Sequence, residues 1–140
     1  MILFCDTSAL IKLYIAEAGS KELKRQVAQA EAVAVCRVAW AEAHAALSRR
    51  AREVPADALI IEQAKAALAK DWPRFVVMEV TQAMVERAGE YADTFALRGH
   101  DSIQLAAAFE AGRVSGLPVF FASFDFRLNK AARMLEMQYL

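Results

Sequence analysis

Short apolar runs alternate with longer helix-forming segments along this chain. Four runs, at residues 1–5, 32–36, 75–80 and 119–122, are almost entirely apolar, as is typical of strands buried on both faces of a parallel sheet. Helical periodicity or composition marks residues 9–14, 21–30, 38–52, 55–70, 81–96, 101–111 and 126–132, and a last apolar piece spans residues 135–140. This alternation predicts an α/β fold with a mostly parallel sheet of four to five strands and helices on both faces.

Composition limits the classes of protein to which the chain can belong. Of its 140 residues, 57% are hydrophobic and 24% are charged, and no linker or repeat divides them. A disordered chain is poorer in apolar residues, so we expect a single folded domain over residues 1–140. Seventeen basic residues balance seventeen acidic ones, which excludes a polycation that coats nucleic acid through bulk charge. Any nucleic-acid role must come from a local arrangement of charge.

The cysteines and the hydropathy indicate a compartment. Cys5 and Cys36 lie in separate apolar runs, without the spacing of a zinc or redox motif, and two buried thiols suit a reducing cytoplasm. The opening apolar run is too short for a signal peptide. Charged residues interrupt every apolar stretch before the roughly 18 residues that a membrane span requires. We therefore expect a soluble, cytoplasmic protein with no membrane segment.

Acidic residues follow two predicted strands at the point where each strand ends. Asp6 comes directly after the first run, and Asp125 comes three residues after the fourth. Asp101 opens a predicted helix whose first turn should lie near the same sheet edge, where α/β folds bind ligands. Taken singly, each Asp is best explained as a helix N-cap, and Asp101 and Gln104 even have the spacing of a capping box.

The coincidence of the three acids is what indicates chemistry. Carboxylates that converge on one sheet edge repel one another and raise each other's pKa. A hard divalent cation such as Mg²⁺ or Mn²⁺ removes that penalty, because it prefers oxygen ligands. Such a cation serves phosphoryl transfer, where it lowers the pKa of a bound water and neutralises charge on the phosphate.

Glu42 is a fourth candidate, which helical periodicity does not support. On the predicted helix over residues 38–52, it lies opposite the stripe that contains Trp40, His44 and Leu47. The pattern alone therefore favours a solvated glutamate. The alanines around Glu42 leave open a helix that is covered on more than one side.

Four segments that contain these acids resemble the motifs of one family. They are residues 4–14 around Asp6, 38–43 around Glu42, 97–106 around Asp101 and 121–132 around Asp125. All four occur in order across nearly the whole chain. Together they resemble a PIN-domain ribonuclease, specifically the VapC-type toxin of a toxin–antitoxin pair. The resemblance implies a PIN-like three-layer α/β/α sandwich.

The resemblance also implies a reaction, supporting residues and partners. Asp6, Glu42, Asp101 and Asp125 would bind Mg²⁺ or Mn²⁺ and cleave RNA endonucleolytically with a metal-activated water. Thr7, Ser8 and Ser123 would be supporting hydroxyls that orient carboxylates or hold a metal-bound water. The implied partners are an RNA substrate, an antitoxin whose tail occupies the acidic groove, and a second copy of the chain in a homodimer.

Basic residues follow the last acid. Arg127, Lys130 and Arg133 have helical spacing after Asp125, so they either hold an RNA backbone near the site or form a solvated helix face. The two histidines, His44 and His100, have no Cys or His at ligand spacing, which favours structural or surface roles over zinc binding.

Two other functions compete with the nuclease. A PIN-like module that binds RNA or protein without cleaving would be favoured by a missing acid, and none of the four is missing. A signalling receiver domain has a similar size, but it needs an acidic pair after the first strand and an Asp after the third. Here a single Asp6 precedes Thr7, and the third run ends at Val80 and Thr81.

Overall fold

Each of the four apolar runs forms a strand, and each of these strands is followed by one or two helices. The computed structural model describes residues 1–140. In chain order the elements are β1 (Ile2–Cys5), α1 (Thr7–Lys12), α2 (Ser20–Gln29), β2 (Ala32–Cys36), α3 (Ala39–Glu53), α4 (Ala58–Asp71), β3 (Val76–Met78), α5 (Gln82–Phe95), α6 (Gly99–Ser115), β4 (Val119–Ala122), α7 (Phe126–Met134) and β5 (Gln138–Tyr139). Short 3₁₀ turns at Pro55–Asp57 and Trp72–Arg74 flank α4.

The α6 helix is longer at both ends than the sequence predicts. It begins two residues before Asp101 and continues past Gly112. Gly112 does not stop the helix but packs against β4, because a Cβ there would lie 2.7 Å from Val119 Cγ2. The helix ends instead at Gly116, which adopts the left-handed conformation with φ +70°.

The strands form one sheet in the order β3-β2-β1-β4-β5, and every neighbouring pair is parallel. The third run, predicted as a strand over residues 75–80, pairs only at Val76–Met78. The fifth strand lies within the last apolar piece, residues 135–140. The chain first adds β2 and β3 on one side of β1 and then places β4 on the other side. The carboxyl ends of β1 and β4 therefore meet where the strand order reverses, which is where such folds bind ligands.

Helices cover both faces of the sheet, and β1 supplies side chains to both cores. Leu3 and Cys5 pack on the face covered by α1, α3 and α4. Phe4 points to the opposite face, covered by α5, α6 and α7, where its ring stacks on that of Phe121 at 5.9 Å. This two-sided burial explains the uninterrupted apolar run, and it confirms the predicted three-layer α/β/α sandwich. None of the seven helices combines the length and the hydrophobicity that crossing a membrane requires.

Candidate active site

Asp6 lies at the reversal of strand order, between the ends of β1 and β4. Its N–H donates to the carbonyl of Ala122 (3.0 Å), which joins it to the end of β4. Its Oδ1 accepts from the Ala9 N–H (2.9 Å) and the Ser8 hydroxyl (2.7 Å), so Asp6 is the N-cap of α1. The Ser8 oxygen in turn accepts from the Phe124 N–H (3.2 Å). One hydroxyl thus connects the first acid to the loop after β4.

Burial raises the pKa of the Asp6 carboxyl above its ordinary value, since the residue is only 5% exposed. The Ser123 and Ser8 hydroxyls and the Ala9 N–H oppose that rise, and the charge of Asp101 adds to it. A cation beside Asp6 would offset both the loss of water and the repulsion between the two carboxylates.

Asp125 caps α7 directly after the loop that follows β4. Its Oδ1 accepts from the Leu128 N–H (2.9 Å), and its own N–H donates to the buried Ser123 hydroxyl (3.0 Å). The carbonyl of Ser123 accepts from Asn129 Nδ2 (2.9 Å). These bonds fix one carboxylate oxygen of Asp125 and leave its Oδ2 without a hydrogen-bond partner.

Glu42 is partly buried and faces other elements rather than solvent, so the solvated glutamate that periodicity favoured is wrong. Its Oε1 accepts from Thr7 Oγ1 (3.0 Å) and from Gln104 Nε2 (2.9 Å). Both α1 and α6 therefore cover the first turn of α3. The alanines around Glu42 had left open that this helix is covered on more than one side. As in Asp125, the second carboxylate oxygen of Glu42 has no hydrogen-bond partner.

Gln104, which the sequence suggested only as the capping-box partner of Asp101, lies in the candidate site. It is 3% exposed, and its Nε2 donates to Glu42 and lies 3.3 Å from Thr7 Oγ1. The capping box predicted for Asp101 and Gln104 is wrong, because α6 begins at Gly99 and Asp101 lies inside its first turn. The available signal was an amide within the apolar stretch of α6, since a buried amide needs polar partners.

Asp101 occupies the first turn of α6, where the helix dipole favours a negative charge. Its Oδ2 accepts from Arg98 Nε (3.0 Å), and its Oδ1 lies 3.4 Å from His100 Nε2. Asp101 and Asp125 line one cavity of about 310 Å³ together with Arg98 and Arg127. The largest cavity, about 660 Å³, lies beside the edge strand β3 and contains none of the four acids.

The donors at this site suit a hard divalent cation by their chemistry, since they are carboxylate and hydroxyl oxygens. No three His, Cys, Asp or Glu side chains are gathered closely enough to hold an ion between them. Arg98 and His100 contact both oxygens of Asp101, so a cation bound there would compete with them for this carboxylate. His44 is not part of the site, because its Nδ1 lies 2.8 Å from the carbonyl of Trp40, a structural role.

Comparison with known proteins identifies the family. The sequence profile of the PIN domain matches residues 3–134. This chain belongs to the PIN domain family. Ribonuclease VapC45 and Ribonuclease VapC49, both of Mycobacterium tuberculosis, are each 33% identical to it over 135 residues, covering 94% of this chain and 89% of the relative. The resemblance given by the four motifs is thereby confirmed, and the receiver-domain alternative is wrong.

Solved structures share the fold of this PIN domain. VapC20 of Mycobacterium tuberculosis, a toxin that cleaves the sarcin-ricin loop, has a TM-score of 0.67 at 23% identity and covers 92% of this chain and 94% of its own. VapBC2 from Rickettsia felis, bound to a DNA fragment from their promoter, has a TM-score of 0.67 at 12% identity, with 100% and 98% covered. A toxin–antitoxin complex from Klebsiella pneumoniae has a TM-score of 0.59 at 20% identity, with 86% and 84% covered. These structures show that the fold is shared, and the two VapC relatives at 33% identity show the sequence relationship.

Proposed function

We propose that this PIN domain is the endoribonuclease toxin of a toxin–antitoxin pair, and that Asp6, Glu42, Asp101 and Asp125 hold the Mg²⁺ or Mn²⁺ that cleavage requires. The observation that carries the proposal is a hydrogen-bonded chain between separate segments. Ser8 joins Asp6 to the loop that bears Asp125, and Thr7, the neighbour of Asp6, joins Glu42 and Gln104. Asp6, Glu42 and Asp125, which are far apart in sequence, are thus tied together through the neighbouring hydroxyls of Thr7 and Ser8. Asp101 is outside these bonds but lies one helical turn before Gln104 on α6.

The residues of the network hold the carboxylates in place for the reaction. These oxygens would hold a divalent cation, whose chemistry would be to activate a water and to neutralise charge on the scissile phosphate. Thr7, Ser8 and the buried Ser123 donate to or orient the acids, which fixes one oxygen and leaves another for the cation. Arg98, which pairs with Asp101 and lines the same cavity, would be available to a phosphate oxygen if a cation took its place at Asp101.

The cations of α7 are the proposed contacts to the RNA backbone. Arg127, Lys130 and Arg133 follow Asp125 on that helix and form no ion pair within the chain. Unpaired guanidinium and ammonium groups beside the acids can bind phosphates without first breaking a salt bridge.

The proposed partners follow from the relatives. An antitoxin would occupy the acidic groove and block access to RNA, and a second copy of the chain would complete a homodimer. Both are motivated by the toxin–antitoxin complexes whose fold the chain shares. The two buried, unpaired thiols, Cys5 and Cys36, support a cytoplasmic location.

Cleavage by the purified protein tests the assignment. The chain is purified alone and together with the product of the neighbouring gene, incubated with total RNA and Mg²⁺, Mn²⁺ or EDTA, and the new RNA ends are sequenced. We expect defined ends with either cation, none in EDTA, and protection by the partner. Asp6→Asn and Asp101→Asn should each lower the rate by more than about a hundredfold, since even a group that only supports a metal ligand contributes up to that much.

The control is Asp93→Asn, an exposed acid on α5 outside the four motifs, which should cleave like the wild type. If the wild-type protein retains RNA in a binding assay but produces no ends with Mn²⁺, the chain is a non-catalytic binding module. If Asp6→Asn and Asp101→Asn cleave normally, the catalytic residues are assigned wrongly.

A further inference from the structure

The cavity beside the acids adjoins a second cavity along α7. The first, about 310 Å³, is lined by Arg98, Asp101 and Asp125 among others. The second, about 520 Å³, lies between α7 and the end of α5. Ala96 and Arg127 line both. The two cavities are therefore neighbours, and together we call them the trough, with the acids at its near end.

The far half of this trough combines positive charge with an apolar surface. Arg127 and Lys130 line it together with Phe95, Ala131 and Met134. Met134 is 69% exposed, which is unusual for a large apolar side chain. The helix that carries these cations has no acidic residue, and neither cation is engaged in an ion pair. Arg133, the third cation of α7, does not line the trough.

We propose that the far half of the trough is a nucleotide subsite, one step along the RNA from the phosphate that is cleaved. An unpaired base lies against Met134 and Phe95, and Arg127 and Lys130 bind the phosphates that flank it. This arrangement is how single strands are held without a duplex, through a cationic groove with apolar platforms for the bases. The inference rests on the proposed nuclease function and adds where the substrate strand runs.

Charge identifies RNA as the occupant. The only acids that line the trough are Asp101 and Asp125 at its near end, where the proposed cation compensates them. Beyond them the polar lining is basic or neutral, which complements a chain that carries one negative charge per nucleotide. The apolar strip between Phe95 and Met134 offers a surface for one flat base.

Removal of single bases from the substrate tests the subsite. A short single-stranded RNA is built around a cleavage site mapped for the wild-type protein, and an abasic nucleotide is placed at each position in turn. We expect one position next to the cleaved bond at which loss of the base lowers kcat/KM by roughly tenfold, the size of one base-stacking contact. Met134→Ser should remove that penalty at the same position and leave the other positions unchanged.

The matched control is Leu59→Ser on α4, because Leu59 is 70% exposed, almost the same as Met134, and does not line the trough. This variant should keep the abasic penalty. A flat abasic profile, or a penalty that persists in Met134→Ser, would overturn the subsite while RNA is still cleaved. A third result would also overturn the subsite: Met134→Ser weakens binding of the antitoxin but leaves the abasic profile unchanged. The trough would then be a protein-binding site. If the wild-type protein cleaves no RNA at all, the nuclease assignment fails and the subsite fails with it.

Discussion

Asp6 is the only buried residue among the four proposed metal ligands. Burial raises the pKa of its carboxyl, and the charge of Asp101 raises it further. The folded chain therefore binds the proton of this carboxyl more tightly than the unfolded chain does. Stability consequently falls as the pH rises from the ordinary aspartate range through the raised pKa, because ionising Asp6 inside the fold costs free energy. A bound cation reverses that cost, which couples metal binding to stability.

Asp6→Asn should for this reason raise the Tm at pH 7 in EDTA. Asparagine keeps the oxygen that caps α1 and is an equally good N-cap, but the buried charge is gone. The gain should shrink as the pH falls below the raised pKa, because the wild-type carboxyl is then neutral too. Thermal unfolding at neutral and acidic pH measures the gain in Tm, and each kcal/mol of unfolding free energy corresponds to roughly 3 °C.

The control for this comparison is Glu86→Gln, an exposed acid in the middle of α5, which should show no gain at either pH. Added Mg²⁺ should raise the Tm of the wild-type protein more than that of Asp6→Asn. A wild-type protein that is more stable than Asp6→Asn at pH 7 in EDTA would contradict the argument from burial.

Gln104 donates to Glu42, so in the proposed reaction it is a positioning residue. Gln104→Met keeps the length of the side chain but removes the N–H group that Glu42 accepts. We expect cleavage to fall about 10- to 100-fold, the usual effect of losing a group that orients a metal ligand, with partial recovery at higher Mn²⁺. Rates measured across a Mn²⁺ titration test this. Gln63→Met, exposed on α4, should match the wild type, and an unchanged Mn²⁺ dependence in Gln104→Met would remove Gln104 from the site.

At the scale of elements, hydrophobic pattern predicts the sheet and two of the acids but not the network around Glu42. Asp6 directly follows β1, and Asp125 closely follows β4. Both strands are buried on both faces, so predicting the strands also predicts where these two acids lie. Glu42 and Gln104 meet across 62 residues of sequence, on helices that are each covered on more than one side. Periodicity describes a helix with one buried face, and it therefore assigned Glu42 to solvent.

The segment after α1 packs against the loop that carries Asp125. Gly19 adopts φ +90°, and a Cβ there would lie 2.5 Å from the Phe124 ring. On the same ring, Lys12 Nζ lies 4.6 Å from the centroid. The position of Phe124, and with it the loop at the end of β4, is therefore set by two segments that follow β1.

Gly19→Ala should lower both stability and cleavage. The new methyl group is strained by the positive φ and collides with Phe124, which costs about 1–3 kcal/mol of unfolding free energy and displaces the Asp125 loop. Gly89→Ala is the matched control: it lies on α5 with no atom within 4 Å of the added Cβ, and it should stabilise the protein by about 0.5–1 kcal/mol. Urea unfolding and RNA cleavage measure both variants, and equal effects of the two substitutions would show that Gly19 does not constrain the loop.

Over the whole molecule, the acidic and basic residues are unevenly distributed although the net charge is zero. Without the four proposed ligands, thirteen acidic residues remain against seventeen basic ones. Several basic residues are paired with surface acids, as Arg49 is with Glu53, and contribute little field. Of the basic residues that form no ion pair, Arg127 and Lys130 are the two that line the cavities beside the acids, so we expect an RNA strand to bind along α7.

The salt dependence of RNA binding tests this distribution. In EDTA, where we expect no cleavage, the affinity for single-stranded RNA is measured over a range of salt concentrations. The slope of log K against log salt falls by about 0.7 for each lost phosphate contact on a single strand, so the double variant Arg127→Gln, Lys130→Gln should reduce it by about 1.4. Lys24→Gln, exposed on α2 and in no ion pair, should leave the slope unchanged. If Lys24→Gln lowers the slope by as much per lost charge as the α7 variant does, RNA binding depends on the overall surface charge. The basic residues of α7 would then not explain how a protein of zero net charge binds RNA.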